Sequence, residues 1–133
     1  MDNKDVAKKW FNKANNDLIT VEYLFTMQSP PTDIICFHSQ QVAEKYLKGF
    51  LAFQGKEAPK IHDLEELISI CKEIDSKFTD FYDIASELSG YAVEVRYPLE
   101  EDYEITFEEA QLAFKNAKKI KEFVLTRLKS KLS

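Results

Sequence analysis

The apolar residues of this chain recur at helical spacing from end to end. Val6, Trp10, Ala14, Leu18, Val21 and Phe25 step by three and four residues, which draws one apolar stripe along a first helix of roughly Lys4 to Met27. Gln28-Ser29-Pro30-Pro31 stops it, because proline donates no amide and clashes with the preceding turn. A second helix runs from roughly Asp33 to Gln54, with Thr32 or Asp33 expected as its N-cap. Ile35, Val42, Tyr46, Phe50 and Phe53 share one side, and Phe37, Leu47 and Leu51 fall on others. A helix that is apolar on more than one side belongs at the centre of a fold or at a subunit interface.

Gly55 to Pro59 reads as a loop. A third helix starts near Asp63, where Asp63 and Glu66 have capping-box spacing. Its stripe is Leu64, Leu67, Ile68, Cys71 and Ile74. A fourth helix is expected over roughly Lys77 to Val93, with Phe78, Phe81, Ala85, Leu88 and Ala92 inward. Glu94 to Ile105 breaks the periodicity with Pro98 and five acidic residues, and reads as an irregular loop. Thr106 and Glu109 open a last helix running to about Lys131, with Ala110, Ala113, Ala117, Ile120, Val124 and Leu128 inward. Long helices joined by short connections predict an all-α, up-and-down bundle of four to five helices, forming one domain over residues 1–133.

Composition adds limits. The chain is 44% hydrophobic with ten Phe and six Tyr, enough to build a core without disulfides or metals. Three Gly and four Pro disfavour a turn-rich β architecture. The net charge of −5 lacks the basic surplus of a dedicated nucleic-acid binder, so such a role needs a local patch. Cys36 and Cys71 form no CxxC unit and lie on apolar stretches, as buried thiols in a reducing compartment do. The polar N-terminus and the absence of a spanning apolar run predict a cytoplasmic protein with no membrane association. There is no phosphate loop, dinucleotide fingerprint, HExxH, EF-hand or GxSxG, so no cofactor and no metal are expected.

Polar residues on the second helix carry the candidate chemistry. His38, Gln41, Lys45 and Lys48 fall within roughly 80° on the helical wheel. Two ammonium groups, an imidazole and an amide are the groups that hold an anion. The blander alternative is the solvated edge of an amphipathic helix. Asp17 lies near the apolar centre of the first helix, where a carboxylate needs a partner, and Lys45 or Arg96 is the expected one. A salt bridge that fixes helix register explains Asp17 equally well. His62 precedes the third helix and reads as a local hydrogen-bonding residue. Arg96 and Tyr97 pair a guanidinium with a ring, although Glu94, Glu100, Glu101, Asp102 and Glu104 surround them.

The run from Cys36 to Lys48, Cys-Phe-His-Ser-Gln-Gln-Val-Ala-Glu-Lys-Tyr-Leu-Lys, resembles the signature second helix of HEPN domains (higher eukaryote and prokaryote nucleotide-binding). Trp10, Ala14 and Asp17-Leu18 precede it, and Pro59, His62-Asp63-Leu64, Arg96-Tyr97-Pro98 and the Thr106 to Ala110 helix start follow in the family's order. The resemblance implies a bundle of four or five helices, a homodimer, and association with a minimal nucleotidyltransferase. Ribonuclease members of the family, toxin–antitoxin proteins among them, carry an Arg-x4-6-His motif. Arg96 matches its Arg, but Glu101, Asp102 and Tyr103 stand where the His would be, and no His follows His62. The resemblance therefore implies a non-catalytic module that binds a nucleotide or other phosphate-bearing ligand, partners a nucleotidyltransferase, or does both, through Asp17, His38, Gln41, Lys45, Lys48, Arg96 and Tyr97. The alternatives are a metal-independent ribonuclease in which His38 or Tyr103 replaces the missing His, and a purely structural dimeric partner.

Overall fold

The computed structural model describes residues 1–92 and 104–132. Among them the chain is an all-α bundle: α1 Asn3–Phe25, α2 Thr32–Phe53, α3 Leu64–Lys72, a 3-10 helix Ser76–Phe81, α4 Tyr82–Ser89 and α5 Phe107–Leu132. The Glu94 to Tyr103 part of the expected acidic loop, including Arg96 and Tyr97, lies outside the described residues.

α2 is the axis. It packs against α1, α5 and α3, and Ile35, Cys36, Val42, Ala43, Leu47 and Leu51 have no exposed surface. The extra apolar sides seen in its sequence are the faces that meet these three neighbours. α1 returns antiparallel along α2, so residues early in α1 meet residues late in α2: Phe11 stacks on Tyr46 at 5.1 Å, and the Tyr46 hydroxyl donates to Asn15 at 2.7 Å. The approach of these helices depends on Gly49, because a Cβ there would land inside the Phe11 ring. α5 runs in the same sense as α2, with Thr32 bonded to the Ile105 carbonyl near their starts. Phe50, Phe78, Phe123 and Phe81 form a chain of aromatic contacts farther along, at centroid separations of 4.6–4.8 Å.

Several local features differ from the sequence expectation. The N-cap of α2 is Pro31, not Thr32 or Asp33, because the Thr32 hydroxyl is used in the 2.6 Å bond to Ile105. The expected fourth helix begins as a 3-10 turn and becomes α-helical only at Tyr82. Asp75 caps that turn by accepting from the Lys77 amide, and the tighter winding places Phe78 and Phe81, three residues apart, on the same side toward Phe123. α4 ends at Ser89 with Gly90 as C-cap. The expected capping boxes are each half formed: Asp63 accepts from Glu65 N and Thr106 from Glu109 N, while the Glu109 carboxylate takes the Tyr91 hydroxyl instead. A reciprocal box does form at Asp2 and Asp5, where the sequence reading placed none.

Both cysteines are fully buried and neither is in a disulfide. Burial pushes the Cys71 thiol up to about 12, against a small opposing pull from Lys56. Neither thiol is expected to react with Ellman's reagent in the native protein, and both are expected to react in guanidinium; rapid labelling of the native protein would contradict this packing. Gly49→Ala is expected to cost about 1–2 kcal/mol and lower the melting temperature, since Phe11 is pinned by Tyr46 and cannot swing aside.

Candidate functional site

Two polar clusters occupy neighbouring faces of α2. The outer one joins α1 to α2. Asp17 lies on the buried side of α1 with its side chain 11% exposed. One carboxylate oxygen accepts from His38 Nδ1 at 2.8 Å, and the other accepts from Lys45 Nζ at 2.5 Å. Because a carboxylate only accepts, Nδ1 carries the proton, and in the neutral ring Nε2 is left as the acceptor. The His38 and Lys45 side chains are 25% and 21% exposed, so both reach water while tied to Asp17. Lys45 keeps further N–H donors. Phe37 meets the His38 ring edge-on at 5.2 Å.

The inner cluster centres on the buried side chains Gln40, Glu44 and Lys48, with the exposed His62 ring at its rim. Glu44 lies between Lys48, whose Nζ donates at 3.1 Å, and His62 Nδ1, which lies 3.1 and 3.0 Å from the two carboxylate oxygens. The Gln40 amide donates to Glu44 and to the His62 carbonyl, both at 3.1 Å. Gln41 donates to Gln40 Oε1 at 2.6 Å, which links the inner cluster to the α2 edge bearing His38 and Lys45. Lys48 Nζ also sits 5.7 Å from the centre of the Trp10 ring. Ser39 Oγ is buried with no hydrogen-bond partner among the described residues.

The structure thus brings Asp17, His38 and Lys45 together, with Gln41 on the adjoining turn. Of the two partners expected for Asp17, Lys45 is bonded to it and Arg96 lies outside the described residues; His38 is a further partner. Lys48 stands apart: its i, i+4 spacing from Glu44 and the Trp10 face draw it inward, so it belongs to the inner cluster. Arg96 and Tyr97 lie outside the described residues. His62 is a hydrogen-bonding residue as expected, but it bonds across to α2. Gln40 and Glu44 were missed, although their i, i+4 spacing with each other and with Lys48 was readable. Among the described residues no three His, Cys, Asp or Glu side chains gather to hold a metal ion. No helix there is long and apolar enough to cross a membrane.

Comparison with known proteins places the fold in a family. The HEPN domain model matches residues 7–129, and the chain belongs to the HEPN family. The crystal structure of TT1696 from Thermus thermophilus is similar, with a TM-score of 0.80 at 27% identity over 92% of this chain and 98% of that one. No curated protein matches the chain.

The inner cluster makes a direct energetic prediction. Glu44→Ala strands the Lys48 ammonium in a buried position and is expected to cost about 3–5 kcal/mol. Glu44→Ala combined with Lys48→Met is expected to recover most of that loss in urea unfolding, because the unpaired charge is then gone. Additive losses in the double variant would contradict this reading.

Proposed function

We propose that this HEPN module is non-catalytic and binds a nucleotide or another phosphate-bearing ligand at the α1–α2 edge. The observation that supports it is the Asp17 bridge, which holds His38 and Lys45 side by side while leaving His38 Nε2 and the remaining Lys45 donors toward solvent. Lys45 supplies point charge, His38 a directional hydrogen-bonding ring, and Gln41 an amide beside them. Arg96 is assigned to phosphate pairing and Tyr97 to ring stacking. Lys48 supports the edge from the inner cluster.

The charge balance sets a condition. Asp17 cancels the charge of Lys45, so the edge offers a phosphate directional hydrogen bonds rather than a large net positive charge. The physiological role suggested by the family resemblance is that of a homodimeric partner to a minimal nucleotidyltransferase.

Calorimetric titration with AMP, ATP and GTP tests the ligand. Saturable binding is expected, weakened about tenfold or more by Lys45→Ala. Absence of binding up to millimolar concentration would overturn the nucleotide reading and leave a structural partner. The ribonuclease reading has one observation in its favour: Asp17 orients His38 as a carboxylate orients a general base. RNA cleavage by the purified protein that disappears in both His38→Ala and Arg96→Ala would establish that reading in place of the non-catalytic one.

A further inference from the structure

A second hollow lies where the end of α1 meets the start of α5. It is lined by Phe25, Phe107, Gln111, Phe114, Lys115 and Lys118, with a volume of about 350 Å³, toward the lower end of small-molecule sites. Phe25 meets Phe107 edge-on at 5.7 Å and Phe114 at 5.8 Å. Phe107, the first residue of α5, remains 42% exposed, so part of a ring stays in water. Lys118 Nζ sits 4.5 Å from the centre of the Phe114 ring, reaching back one turn of the helix. The hollows beside Tyr91 and Arg127 each include a carboxylate, Glu87 and Glu109 in one and Asp75 in the other. Among the described residues the lining of this groove includes two ammonium groups and no carboxylate, in a chain whose net charge is −5.

We propose that this groove binds a planar anion: an aromatic ring system bearing a carboxylate, sulfonate or phosphate. The ring covers the exposed part of Phe107, and the anionic group pairs with Lys115 and Lys118 while the Gln111 amide fixes its orientation. An uncharged ring would gain the apolar contact alone; a simple anion would gain only solvent-exposed ammonium groups, which hold it weakly. The combination sets the ligand class. The groove shares no residue with the Asp17 cluster, so it stands or falls independently of the ligand assigned there.

The test uses the full chain and 1-anilinonaphthalene-8-sulfonate, a ring system with one anionic group. Saturable binding at one equivalent is expected. Affinity should fall at least tenfold in a Lys115→Glu/Lys118→Glu variant and in Phe107→Ala, and stay unchanged in His38→Ala. Circular dichroism melts confirm that each variant is folded. N-phenyl-1-naphthylamine, the same rings without the sulfonate, should bind at least tenfold more weakly. Displacement of the probe by indole-3-acetate or by adenosine monophosphate supports the class and separates a carboxylate from a phosphate source. Equal binding of the neutral analogue, insensitivity to the lysine reversals, or displacement by neither compound overturns the proposal.

Discussion

The polar side chains on the inner face of α2 have to find partners inside the bundle, because that helix is enclosed by α1, α3 and α5. Gln40 has no exposed surface, Glu44 has 3% and Lys48 has 5%. Leaving any one of them unpaired would cost more than an ordinary surface contact returns. The helix meets this constraint with i, i+4 pairs along its own length, and with His62 from the approach to α3. The inner cluster therefore fixes the register of the chain after the Gly55 turn: the His62 carbonyl accepts from Gln40 while its ring faces Glu44. From there α3 sets off in the same sense as α2, and α4 carries the chain back before α5 begins.

The same constraint separates what was legible in the sequence from what was not. Helix existence was legible because burial on one face repeats at helical spacing, as with Ala7, Ala14, Leu18 and Val21 of α1. The central position of α2 was legible because its apolar residues go around the helix. The partition of its polar residues was not. His38, Lys45 and Lys48 lie close together on the wheel, but which of two adjoining faces each one serves depends on where α1 places Asp17 and Trp10. Helical angle alone cannot separate Lys45, 2.5 Å from Asp17, from Lys48, which lies over Trp10. The 3-10 turn at Ser76–Phe81 was hidden for a similar reason. The spacing of Phe78 and Phe81 fits both helix types, and the choice is made by the Asp75 cap and by Phe123 on α5.

Asp75 shows how one acidic residue serves two elements. Its carboxylate caps the 3-10 turn and also accepts from Arg127 Nε of α5 at 2.5 Å. Desolvation raises its affinity for a proton, but the hydrogen bonds from Arg127 and the Lys77 amide outweigh that and hold it below the ordinary carboxylate range. Its contribution to stability is present at neutral pH and is lost as acid protonates it, since protonation removes the charged acceptor. Arg127 remains 40% exposed, so solvent screens the pair and the contribution is small.

The outer cluster is arranged differently, and the difference bears on binding. In the inner cluster the Glu44 carboxylate has both oxygens occupied and its Lys48 partner is enclosed. In the outer cluster Asp17 likewise has both oxygens occupied, but the side chains around it are tied at one atom and open at another. His38 is held at Nδ1 with Nε2 left over, Lys45 gives one donor to Asp17 and keeps others, and Gln41 gives one amide hydrogen to Gln40 and keeps a second. Immobilising a flexible side chain on binding costs about 0.5–1.5 kcal/mol, and here the fold has already done so for all three. Against that gain stands Asp17, whose negative charge repels an incoming anion. The carboxylate that organises the cluster therefore also limits the positive charge that the cluster presents.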